Sequence, residues 1–117
     1  MKKIYICAPV KGDQNSPEVI KCNLALASFY SKFVYEQGHF PMCPHIYIEA
    51  ISGLNEGKNP SDREKALELG LEMLLMCDEL WVFGRRLGNE SFGMKKEIEI
   101  AHNKMMPVRY RSEYLAL

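Results

Sequence analysis

Apolar positions along the chain fall into short continuous runs, separated by longer stretches in which they recur every third or fourth residue. "KIYICAPV" (3–10) is a run rich in β-formers and halted by Pro9 and Gly12, which predicts a buried strand with a loop behind it. Ser16 and Pro17 read as N-cap and first helical position. Leu24, Ala27, Tyr30 or Ser31, and Val34 then keep helical spacing to about Gln37, and Gly38 sits where a C-cap glycine belongs. "HFPMCPHIYIEAI" predicts a short strand running into a Pro-rich turn, and "SGLNEGKNPSD" a loop. Ser61 or Asp62 opens a helix that reaches about Cys77. "DELWVFG" is another buried strand, closed by Gly84, and "RRLGNES" is a loop. Ser91 to Lys104 make a third long helix, and "MPVRY" a last strand.

Strands alternating with helices at this spacing predict an α/β fold: a three-layer, flavodoxin- or Rossmann-like parallel sheet of about four main strands with helices on both faces. The 117 residues suit one domain spanning 1–117. In such sheets ligands bind beyond the carboxyl ends of the strands, near the switch in strand order. Two loops therefore matter most, Ala8 to Asn15 and Gly84 to Ser91.

Charge narrows the partners. Fifteen basic and fifteen acidic residues cancel, so nothing in the balance favours a nucleic-acid polymer or an anionic membrane. The apolar run near Met1 is too short for a secretory h-region, and no stretch reaches membrane-spanning length, so a cytoplasmic protein is expected. Cys7, Cys22, Cys43 and Cys77 are widely spaced, form no C-x-x-C pair, and read as buried reduced thiols. Cys43 and His45 are too few to hold a metal, and no cofactor is expected.

One carboxylate breaks the pattern of the third helix. At about 100° per residue, Met94, Ile98, Ala101 and Met105 share a narrow arc, and Glu97 falls inside it between Ile100 and Ala101. Glu99 projects the opposite way, with Lys95, Lys96 and Asn103. A buried carboxylate must be paired, hydrogen-bonded or protonated. It is either structural, as half of an ion pair or a residue at the edge of the arc, or the lining of a ligand cleft. Gly93 in the first turn lets a ligand approach the backbone, and Ser91 as N-cap borders the free N–H groups of a helix start, an anion site.

The segments "IYICAPVKG", "CDELWVFG" and "SFGMKKEIEIA" together resemble the nucleoside 2-deoxyribosyltransferases, their relatives the deoxyribonucleoside 5′-monophosphate N-glycosidases, and small bacterial and phage domains of the same superfamily. The match runs in order through most of the chain. It implies that Glu97 is the nucleophile on the anomeric carbon of deoxyribose and that Tyr5 lies beside it. It also implies that Ser91 holds a 5′-phosphate. The loop Ala8, Pro9, Val10, Lys11 and Gly12 would cradle that phosphate, with Lys11 where an arginine is usual and Gly93 and Met94 contributing from the helix start. The resemblance further implies a homodimer or larger assembly. One departure stands out. The family carries an aspartate eight residues before the one that opens "DELWVF", and here that place is Gly70.

His45, near the end of the second strand, is a candidate for touching substrate. Trp81 reads as core, Asp78 as a turn or cap residue, His39 and His102 as surface, and Arg85, Arg86 and Asn89 as a ligand-side loop. Two functional readings follow. One is N-glycosidic cleavage or transfer on deoxynucleosides or their 5′-monophosphates. The other is a nucleotide-binding module with weak or lost catalysis, a bacterial or phage accessory or sensor protein, which Gly70 favours. A flavin carrier shares the topology, but the first loop lacks the run of Ser and Thr that would wrap a phosphate.

Overall fold

The computed structural model describes residues 1–9, 17–52, 60–85 and 87–111. Val10, Lys11, Gly12, Ser16 and Arg86 lie outside the described residues. Among the described residues four strands, β1 (Lys3–Cys7), β2 (Phe40–Met42), β3 (Glu79–Val82) and β4 (Val108–Tyr110), form one sheet in the order β2-β1-β3-β4. Every pairing is parallel, with Tyr5 opposite Met42 on one side and Leu80 on the other. The helices are α1 (Pro17–Glu36), α2 (Pro44–Ser52), α3 (Pro60–Leu75) and α4 (Phe92–Asn103).

Alternation along the strands builds two cores. Ile4, Ile6, Trp81 and Phe83 face Ala27, Tyr30 and Val34 of α1. Tyr5, Cys7, Leu80 and Val82 face Leu74 of α3 and Met94, Ile98 and Ala101 of α4. The chain steps from β1 outward to β2, then crosses back to β3 and on to β4. Right-handed crossovers require the covering helix to change face when the direction reverses, as α1 against α3 and α4 shows. The switch lies between β1 and β3, and both strands end at the same edge of the sheet.

Pro44–Ser52 is a helix, where a strand running into a turn was expected. Its β-branched isoleucines suggested extended chain. Pro44 suits a first helical position, and burial settles the conformation: Pro44 and Ile48, one turn apart, are buried, while Tyr47 and Ile51 on another face are exposed. Gly38 ends α1 at φ 86°, as a C-cap glycine does.

Gly84 is fixed by two constraints. Its φ of 78° is left-handed, and a Cβ there would lie 2.9 Å from Pro9 Cδ, part of a rigid ring. The two carboxyl-edge loops meet at this point. Gly84→Ala should therefore destabilise the fold by about 2 kcal/mol, measured as a lower urea midpoint with an unchanged slope.

The opposite edge carries the polar ties. Glu79, 4 % exposed, accepts from Lys2 Nζ (2.7 Å), Arg109 Nε (2.9 Å) and Trp81 Nε1 (3.0 Å). Asp78 accepts from the Lys3 amide at 2.7 Å and acts as a cap. Trp81 is core, and the Arg111 guanidinium lies 4.1 Å above its ring. His39, expected at the surface, is half-buried with its ring edge-on to Trp81.

Candidate active site

Alternation along β1 sends Tyr5 and Cys7 to the face that α4 covers, and α4 turns Glu97 toward them. Tyr5 Oη donates to Glu97 Oε2, and Cys7 Sγ donates to Glu97 Oε1 across 3.7 Å. Among the described residues no basic side chain pairs with Glu97. The carboxyl is thus held by two neutral donors beside the carboxyl edge of the sheet, and the ion-pair explanation for its position has no partner. Glu99 is exposed.

Burial pushes the Glu97 carboxyl up to about 7, even though the bonds from Tyr5 and Cys7 favour its ionised form. The same burial, reinforced by the carboxylate, drives the Tyr5 hydroxyl and the Cys7 thiol well above their ordinary values. Both groups therefore keep their protons and remain donors.

Around this centre the other expected residues separate. Ala8 is buried, and its carbonyl is bonded to His45 Nε2 at 2.9 Å. Burial lowers His45 to about 4, so the imidazole is neutral at physiological pH and Nε2 carries the proton it donates. Pro9 is buried against Gly84. Ser91 caps α4, with Oγ accepting from the Met94 amide at 3.4 Å. Met94 points its side chain into the core and donates its amide to that cap. At Gly93 an added Cβ would meet nothing within 4 Å, so packing does not demand a glycine there.

Gly70 borders the centre. A Cβ at that position would stand 3.6 Å from the Tyr5 hydroxyl and 3.8 Å from Pro44 Cβ, ordinary contact distances. Position 70 thus looks at Tyr5 and supplies no side chain. Glu68 and Glu72, its acidic neighbours in sequence, are exposed.

Two participants escaped the sequence reading. Cys7 was read only as one of the buried reduced thiols, whereas the two-residue alternation of β1 already placed it on the same face as Tyr5. Glu90, just before the cap, accepts from the Gly88 amide (2.8 Å) and from Tyr110 Oη (2.9 Å). Burial raises its carboxyl, but these two bonds outweigh that and leave it below the usual range. Burial first and Glu90 second push Tyr110 up to about 12.

A family described as Domain of unknown function (DUF7768) matches residues 2–111, from before β1 to beyond β4. The chain belongs to that family. Tyr5, Cys7, Gly70, Glu90 and Glu97 all fall within the DUF7768 match. In structure the chain is similar to the 2-deoxyribosyltransferase of the psychrotolerant bacterium Bacillus psychrosaccharolyticus, with a TM-score of 0.65 and 17% identity over 92% of this chain and 70% of that one. It is also similar to the 2-deoxyribosyltransferase of Leishmania mexicana, with a TM-score of 0.57 and 17% identity over 94% of this chain and 63% of that one. At such identity the likeness is one of fold, and this chain spans under two thirds of the Leishmania protein. No curated protein matches the sequence.

Proposed function

We propose that the chain cleaves or transfers the N-glycosidic bond of deoxynucleosides or their 5′-monophosphates, with Glu97 as nucleophile. The observation that carries this reading is a buried carboxyl with no cationic partner among the described residues, gripped by Tyr5 and Cys7 at the switch point of a deoxyribosyltransferase-like sheet. A Glu97 oxygen attacks the anomeric carbon as the bond to the base breaks, and the base leaves with the electron pair and takes a proton from solvent. Water or a second base then displaces Glu97 from the covalent glycosyl intermediate, as in retaining glycosidases. Tyr5 holds the carboxylate at the right angle, and the buried setting limits its solvation.

Ser91, Lys11 and the backbone around Gly12 are the proposed phosphate contacts. Charge-assisted bonds contribute about 1.5–3 kcal/mol each, so a 5′-monophosphate should bind at least about tenfold more tightly than its nucleoside. The proposed setting is a cytoplasmic homodimer or larger assembly. Leu67, Leu71 and Leu75, exposed one turn apart along α3, support self-association.

The second reading, a nucleotide-binding module with little turnover, draws on Gly70, which leaves the space beside Tyr5 without a carboxylate. A thermal-shift screen of nucleosides and 5′-monophosphates, followed by chromatography for released base, separates the two. Binding with release supports the enzyme, and binding without release supports the module. Equal affinity for nucleoside and monophosphate would remove the phosphate assignment.

A further inference from the structure

We propose that Cys7 is a positioning residue for Glu97, and that its thiol selects Oε1 as the oxygen that attacks. This rests on the nucleophile assignment above and adds to it which oxygen reacts and what holds it.

The two donors on Glu97 are unequal. Tyr5 Oη is a phenol that donates to Oε2, and a phenol is a strong donor to a carboxylate. Cys7 Sγ lies 3.7 Å from Oε1, and a thiol is a weak donor. A carboxylate bonded at Oε2 alone can pivot about that bond. A second contact at Oε1, made from the same strand two residues on, stops the pivot. Because the thiol withdraws little electron density, Oε1 stays the more electron-rich oxygen. A hydroxyl at position 7 would hold the carboxylate as well but would solvate it. An alkyl group would leave it unsolvated but free to turn.

Among the described residues, the surroundings leave this task to Cys7. Among the described residues Tyr5 and Cys7 from β1 bond Glu97, and the groups whose charge bears on this centre are Glu90 from the loop before α4, Tyr110 from β4 and, from the core on the α1 side of the sheet, Cys43. Glu90 is already committed to Gly88 and Tyr110, and Cys43 is buried at the start of α2. From α3 comes Gly70, which has no side chain to give. Cys7 is fully buried among Val82, Met94 and Leu80. Core packing alone would therefore also explain an apolar residue here, and the test has to separate packing from positioning.

Cys7→Ser and Cys7→Ala both fit the existing space. The Glu97 carboxyl is followed by carbon-13 NMR on protein labelled at the glutamate carboxyl carbons, with Glu97→Gln identifying the resonance. Serine, the stronger donor, should lower the titration midpoint by about one unit, and alanine should raise it by about half a unit. At saturating substrate, Cys7→Ser should slow base release about tenfold with KM changed less than twofold. A packing residue predicts that neither variant moves the midpoint, or that both move it the same way in step with lost stability; either result overturns the proposal. The NMR arm needs no turnover. If no form of the protein releases base while the midpoints move as expected, the enzyme reading fails and the placement of Cys7 stands.

Discussion

Glu97→Gln should lower base release by at least about a thousandfold, as loss of a covalent nucleophile does, and should also make the protein more stable above pH 7. The second half follows from linkage. A carboxyl raised from 4.5 to about 7 holds its proton more tightly in the folded chain than in the unfolded one. Below pH 4.5 both states are protonated and the site is no burden. As pH climbs, the unfolded chain ionises freely while the folded chain resists, so stability falls until about pH 7 and the loss is then complete. Its full size is about 3 kcal/mol. Glutamine can still accept from Tyr5 and never ionises, so the melting temperature of Glu97→Gln should equal that of the parent near pH 4 and exceed it by several degrees at pH 8. Glu99→Gln should change neither property. A difference that is flat with pH, or a variant less stable at pH 8, would show that Glu97 is held for structure.

Glu79 should give the mirror image. Burial pushes its carboxyl up, but the bonds from Lys2, Trp81 and Arg109 outweigh that and hold it at about 2. Its contribution is therefore present above pH 4.5 and is lost as pH falls toward 2. Glu79→Gln should destabilise the fold at pH 7 by about 2 kcal/mol, below the range for a fully buried pair because both cationic partners are half in water. Urea unfolding at pH 7 and at pH 3 checks this, since the gap between parent and variant should narrow at the lower pH. Base release by Glu79→Gln should match the parent at temperatures where both are folded, because Glu79 sits at the far edge of the sheet.

What the sequence disclosed follows from the range over which each signal acts. Buried strands and long helices announce themselves through periods of two and of three to four residues, and the order of elements then fixes a parallel sheet. The displaced position of Glu97 was also legible, because a helical wheel needs only the residues of α4. Tyr5 entered through the resemblance rather than through any local pattern. Pro44–Ser52 misled because its isoleucines favour extended chain, and only contact with α1 and α3 makes the helix. Glu79 gave no warning, since its partners Lys2 and Arg109 are 77 and 30 residues away. Cys7 was visible in the alternation of β1, but its relevance appears only once α4 is laid against that strand.

Tyr5 and Cys7 are both fully buried and both touch Glu97. Core and proposed reactive centre therefore share the same two side chains on a strand of five residues. Most α/β scaffolds keep chemistry on loops that can be exchanged while the sheet stays intact. Here a substitution that retunes the carboxyl also opens a hole in the interior, and each buried aromatic or aliphatic group removed forfeits about 2–4 kcal/mol. A laboratory lineage started from this chain should stall early, as variants with altered specificity unfold before they can be selected. Installing stabilising changes first, on the exposed faces of α1 and α3 away from the centre, should widen the set of position 5 and position 7 variants that remain folded.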